Sequence, residues 1–155
     1  MSTGNQLATR LWRARTEGGL VPREAAEGLD SVTTAYLVQG KIATLGAMTR
    51  AGWKVGATSK EPQKLLGTDQ PATAPMFRPL CFKTPAEVAI FPGQNASVEA
   101  EFAFIFGRGL PTRSRPYGLD EVLAAVDVLV PAIEIVGCRF EGGFAGLGAI
   151  RLVSD

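Results

Sequence analysis

Three glutamates interrupt two otherwise apolar runs. Glu99 and Glu101 lie in Ser97-Val-Glu-Ala-Glu-Phe-Ala-Phe-Ile-Phe106, and Glu134 lies in Pro131-Ala-Ile-Glu-Ile-Val136. The first run alternates strictly. As a strand it puts Val98, Ala100, Phe102, Phe104 and Phe106 on one face, with Ser97, Glu99, Glu101, Ala103 and Ile105 on the other. Glu99 and Glu101 then share a face, their Cα atoms roughly 6.5–7 Å apart. If Glu134 converges on them, three negative charges share an all-oxygen pocket, and each raises the others' pKa unless a cation lies among them. Mg²⁺ or Mn²⁺ suits such a set, because hard divalent ions prefer carboxylate and water oxygens. The competing reading is the solvated face of a half-buried antiparallel strand. Two features favour a site. The glutamate face continues into Ala103 and Ile105, which suits an interior, and Glu134 shares the face of Ala132 and Val136, where an uncompensated carboxylate is costly.

Lys54 is the second group that could do chemistry. It sits in Gly52-Trp-Lys-Val-Gly56, where apolar neighbours can desolvate it and turn it into an acid-base group. A lysine snorkelling from an edge strand fits the same pattern. Thr58 and Ser59 can either bind a substrate carboxylate with the amides of a following helix or simply cap that helix. Other chemistry is excluded by composition. The chain has no histidine, which removes His-based nucleophile systems, His-ligated zinc and imidazole bases. Acid-base work falls to carboxylates, Lys, Tyr, Cys or a metal-bound water. Cys81 and Cys138 are far apart and outside any CxxC spacing, and are expected as buried free thiols.

The 155 residues suffice for one domain with a real core, and 46% hydrophobic with 20% charged residues describes an ordinary globular protein. A net charge of +1 without like-charge blocks argues against nucleic-acid and membrane partners. Arg108, Arg113 and Arg115 are split by Gly109 and Pro111 and read as a solvated loop. The N-terminus lacks a signal pattern, and Val122–Val136 is too short and too interrupted to span a bilayer, so a cytoplasmic protein is expected.

The elements that must position these residues follow from periodicity. Leu7, Leu11, Trp12 and Ala14 stripe a first helix ending near Gly18-Gly19, and a short helix follows Pro22. A third, capped by Asp30 or Ser31, runs until Gly52, with Gln39 as a satisfied packing residue on its stripe. A strand over 52–56 and a short helix from Ser59 to Gly67 come next, then a loop from Thr68 to Pro75. Strands are predicted at 76–83, 88–91, 98–106 and 132–139, with another starting at 150–153, and one helix carries Val122, Leu123, Val126 and Leu129. The prediction is α+β: a helical portion over residues 1–51 and a β-rich, metal-binding body over 52–155, together one structural domain.

Several of these segments, read in order, resemble a known family. Gly52-Trp-Lys-Val-Gly-Ala-Thr-Ser59, Gln63, Leu66-Gly67, Gln70-Pro71, Val98-Glu-Ala-Glu-Phe-Ala-Phe104 and Pro131-Ala-Ile-Glu-Ile-Val136 with Arg139 are similar to the 2-keto-4-pentenoate hydratase/2-oxo-3-hexenedioate decarboxylase family, within the fumarylacetoacetate hydrolase superfamily. Tyr36 and Gln39 fit its N-terminal helix. The resemblance implies that Glu99, Glu101 and Glu134 bind Mg²⁺ or Mn²⁺ and that Lys54 is the active-site lysine. It implies a lyase adding water to a 2-hydroxy-2,4-dienoate or 2-oxo acid in aromatic-compound catabolism, working as a homo-oligomer or with a decarboxylase or hydratase partner. Hydratases of the family carry an acidic residue after the proline matching Pro71, whereas this chain has Ala72. That departure favours a decarboxylase or isomerase as the alternative. Family members are longer, and the resemblance covers their N-terminal three-fifths, so a body incomplete at the C-terminus, or a non-catalytic paralogue acting as a partner subunit, is the further expectation.

Overall fold

A computed structural model describes residues 3–155. The stripe read on the first helix builds the core: α1 (Thr3–Glu17) buries Leu7, Ala8, Leu11 and Ala14. A 3-10 turn over Arg23–Ala26 follows, as expected after Pro22. α2 (Val32–Leu45) starts on a reciprocal cap: Thr34 N–H donates to Ser31 Oγ at 3.2 Å, and Ser31 N–H donates to Thr34 Oγ1 at 3.3 Å. It stops at Gly46, six residues short of the predicted stop at Gly52. A Cβ at position 46 would lie 2.7 Å from the Trp12 ring, and Ala47 turns left-handed at φ 47°. Met48 continued the apolar stripe because it packs on the same core from the turn, not because the helix continues.

β1 (Arg50–Gly56) and β2 (Ala72–Phe77) form an antiparallel ribbon, with Lys54 opposite Ala74 and Trp53 opposite Pro75. β2 occupies much of the predicted 68–75 loop; its proline is tolerated because the ribbon has only edge strands. α3 (Lys60–Leu66) joins the two strands and ends, as read, on Gly67 at φ 69°. The strand predicted over 76–83 stops at Phe77 and becomes a 3-10 turn at Arg78–Leu80, where Pro79 has no N–H to donate. Residues 88–91, predicted as a strand, are irregular, bounded by Pro85 and Pro92.

β3 (Ser97–Phe106) pairs antiparallel with β4 (Val126–Val136). The predicted helix through Leu129 shrinks to α4 (Leu119–Leu123). Val126 and Leu129 keep helical spacing with Val122, but the Val126-Asp-Val-Leu-Val130 run is β-branched and takes its hydrogen bonds from β3. The last predicted strand is instead α5 (Gly148–Ser154), which buries Val153 and packs on α2. Gln39 Nε2 donates to Val153 O at 2.6 Å, confirming Gln39 as a satisfied packing residue.

The architecture is α+β, with two two-stranded sheets among the described residues. It divides into two compact units, one of residues through Ala96 with Gly137–Asp155, the other Ser97–Val136. The first holds the core: Leu7, Leu11, Val38, Cys138, Phe140 and Leu147 are buried together. In the second, Ala125 alone is fully buried. Cys138 is a buried free thiol as expected; Cys81, expected buried, is exposed, because the 3-10 turn lifts its segment off any sheet. No helix among the described residues is long and apolar enough to cross a membrane.

Candidate metal centre

The β3–β4 ladder puts Glu99 directly opposite Glu134, and Glu101 opposite Ala132. All three carboxylates therefore leave one face of the ribbon, two along a strand and one across it. Carboxylate oxygens from Glu99, Glu101 and Glu134 lie within 4.8 Å of one another. Glu101 and Glu134 are half-buried and Glu99 is exposed. Two unit charges about 4 Å apart repel by about 1 kcal/mol in water and about 4 kcal/mol near a protein surface. The ladder thus sets the backbones of the three glutamates so that their carboxylates form one all-oxygen cluster, a candidate seat for a cation.

The geometry fits a hard divalent ion. Oxygens across a Mg²⁺ ion stand roughly 4.2 Å apart, and across a Ca²⁺ ion roughly 4.6–5.2 Å, from their metal–oxygen distances. Three donors cannot all stand opposite one another, so oxygens within 4.8 Å of each other would draw closer by side-chain rotation to share one ion. With only three carboxylate donors, remaining coordination positions are left for water or a chelating ligand. Nitrogen and sulfur donors are absent from the set, which disfavours softer metals.

The loop joining the two strands is braced internally. Arg113 donates to Glu121 through both terminal nitrogens, at 2.7 Å for Nη1 to Oε1, and to the carbonyls of Arg115 and Pro116. Its guanidinium lies 3.5 Å from the centre of the Tyr117 ring. The Arg113 hydrogen bonds, followed by the Gly118 N–H, hold the Glu121 carboxyl down at about 2. The basic loop is thus spent on its own closure, in keeping with the solvated-loop reading of this segment.

Lys54 is half-buried on β1 in the other compact unit. Its ribbon is fixed to α2 through Thr73, whose N–H and Oγ1 both donate to Tyr36 Oη at 3.2 Å. Periodicity placed Tyr36 only on an apolar stripe; nothing in the spacing indicated that its hydroxyl receives β2. Ser59 precedes α3 without a side-chain cap bond, and α3 spans seven residues. Ala72 opens β2 opposite Gly56 and lines a groove of about 220 Å³ with Tyr36, Asp69, Gln70 and Leu152.

Two structural residues were missed by sequence reasoning. Arg23 donates to the carbonyls of Glu141, Gly143 and Ala145, organising the glycine-rich segment after β4. Asp155 receives Arg139 Nε at 2.8 Å and the Arg139 N–H at 3.0 Å, with both side chains more than 90% buried. Neither partner stands at a periodic spacing from the other, so only the tertiary fold reveals the pairs.

No protein-family model matches the chain. Among curated proteins, it is 36% identical over 113 residues to a 2-keto-4-pentenoate hydratase of Paraburkholderia xenovorans (strain LB400), covering 70% of this chain and 41% of that protein. It is 33% identical over 136 residues to the TodF product hydratase of Pseudomonas putida, covering 85% and 50%. Among solved structures, it superposes on 4-oxalocrotonate decarboxylase from Pseudomonas putida G7, complexed with magnesium and adipate, with TM-score 0.74, 18% identity, and coverage of 97% of this chain and 57% of that one. The same decarboxylase complexed with calcium and acetate gives 0.73. The chain spans about half the length of the relatives it matches. In sequence and in fold, over the part it spans, the chain is similar to the 2-keto-4-pentenoate hydratase/2-oxo-3-hexenedioate decarboxylase family.

Proposed function

We propose that this chain carries the metal-binding part of a lyase that adds water to a short 2-hydroxy-2,4-dienoate or 2-oxo acid, in the manner of the hydratases it resembles, in the cytoplasm and with a fold of the fumarylacetoacetate hydrolase type. The observation that carries the reading is the convergence of Glu99, Glu101 and Glu134 within 4.8 Å on one face of the ribbon. A bound Mg²⁺ or Mn²⁺ supplies Lewis acidity toward the carboxylate and C2 oxygen of the substrate. The three glutamates would hold that ion and leave coordination positions for the substrate to fill, which would orient it. Lys54 Nζ carries protons to and from the substrate carbons as the 2-hydroxydienoate becomes its keto form. A homo-oligomer, or a complex with a decarboxylase or hydratase subunit, belongs to the same reading.

The test pairs binding with turnover. Glu101→Gln should weaken Mn²⁺ binding, followed by the paramagnetic resonance of the free ion, by about a hundredfold or more. It should also abolish metal-dependent consumption of 2-hydroxypenta-2,4-dienoate. Lys54→Met should leave Mn²⁺ binding intact and lower turnover by roughly 10²–10⁴-fold, the usual contribution of a positioned acid-base group. Unchanged Mn²⁺ binding in Glu101→Gln would refute the site. A second reading, 2-oxo acid decarboxylation, is favoured by Ala72 standing where hydratases carry an acid. Carbon dioxide release without hydrated product would select it.

A further inference from the structure

The outer edge of β2 meets no third strand among the described residues, so its backbone donors and acceptors need other partners. At Thr73 the partners come from α2. Thr73 N–H and Oγ1 both donate to Tyr36 Oη at 3.2 Å, and Thr73 O accepts from Gln39 Nε2 at 3.4 Å. The same Gln39 amide donates to Val153 O, so α2 ties the strand and α5 together. Packing alone would be served by phenylalanine at position 36. A half-buried hydroxyl is costly unless bonded, and both bonds that this one receives come from a single residue.

The place of this contact in the ladder bears on Lys54. A strand residue presents its N–H and C=O to one side, and its neighbours present theirs to the other. With the polar groups of Thr73 turned to α2, those of Ala74 turn to β1, where Ala74 stands opposite Lys54. Adjacent side chains alternate and directly opposite ones share a face, so Lys54 lies on the face opposite the Thr73 side chain. A slip of one residue would reverse that assignment, and Thr73 is where the ribbon is fastened against it. We propose that Tyr36 is a positioning residue for Lys54: by gripping both donors of Thr73, it fixes the register and the face from which Lys54 presents its amine. The inference rests on the reading of Lys54 as the group that carries protons.

Two variants of the full chain test the inference. Tyr36→Phe removes the phenol oxygen and keeps the ring, while Thr73→Val removes Oγ1 and keeps the β-branched shape. Hydrogen exchange at the Lys54 and Ala74 amides, followed by NMR, should speed roughly tenfold or more in Tyr36→Phe, the equivalent of one lost hydrogen bond. It should speed less in Thr73→Val, which keeps the backbone bond, and the amides of α1 should be unchanged in both. Thr44→Ala, which removes an exposed hydroxyl from the same helix, should leave Lys54 and Ala74 as they are. Turnover of 2-hydroxypenta-2,4-dienoate with Mn²⁺ is the second readout. Tyr36→Phe should lower kcat roughly tenfold, with KM and Mn²⁺ binding unchanged. In a Lys54→Met background it should have no further effect, because a residue acting through Lys54 is silent once Lys54 is gone. Unmoved exchange at Lys54, or a kcat loss that persists in full in the Lys54→Met background, would overturn the inference. A wild type without turnover would refute the proton-carrying reading instead, and exchange at Lys54 would then decide whether Tyr36 positions it.

Discussion

At the scale of single residues, each acidic group in this protein is defined by what faces it. The three ribbon glutamates face one another and could hold a cation among them. Asp155 faces Arg139 in a buried pair, and Arg15 stands close enough to feel both. Burial first, and the Arg139 charge second, lower the proton affinity of Arg15 to about 10. Two arginines therefore depend on one carboxylate. Asp155→Asn would leave Arg139 buried without its counter-charge, and should cost about 3–5 kcal/mol in urea unfolding, the range for a broken buried pair. A change below about 1 kcal/mol would place the pair among those that contribute little.

At the scale of elements, the ribbon's own hydrogen-bond register gathers the three glutamates of the candidate site, and the loop at its end is held by charge. Glu121 has its carboxyl depressed from the usual carboxylate range to about 2, through Arg113 and the Gly118 N–H. The sign follows from linkage. A depressed folded pKa contributes order that is complete above the unfolded value near 4.5 and fades as pH falls through about 2. The Glu121 carboxyl signal, followed by NMR, should therefore titrate with a midpoint near 2, while an unbraced glutamate titrates near its ordinary 4.5. Arg113→Gln should return Glu121 to that ordinary range. A wild-type midpoint already near 4 would show that the brace is not formed in solution.

For the molecule as a whole, stability is unequally distributed. The unit of α1, α2 and α5 owns nearly every buried apolar side chain, while the β3–β4 ribbon is two-stranded and nearly coreless. An isolated two-stranded ribbon is marginal in water. Amide hydrogens of α1 and α2 should accordingly exchange more slowly than those of β3 and β4. Saturating Mg²⁺ should slow exchange around Glu99 and Glu134 while leaving the helical amides unchanged, because a ligand stabilises the state that binds it. Equal exchange in ribbon and helices would contradict the first expectation, and ribbon amides indifferent to Mg²⁺ the second.

Strict alternation from Val98 to Phe106 determined the strand, its two faces and the shared side of Glu99 and Glu101 without any coordinates, since a strand's period is fixed by the pleat. Local chemistry likewise determined the Ser31 start of α2 and the Gly67 end of α3. Where one short apolar segment fits two periods, periodicity points the wrong way: Val126–Val130 satisfies helical spacing and reads as helix but pairs as a strand, and Ile150–Val153 reads as a strand yet folds as a helix against α2. Those outcomes depend on partners distant in the chain. The opposition of Glu134 to Glu99 is of the same kind, because register is set by the whole ladder and a slip of one residue would turn Glu134 to the apolar face. Residue types named the candidate ligands; the pairing of two strands brought them within reach of one ion.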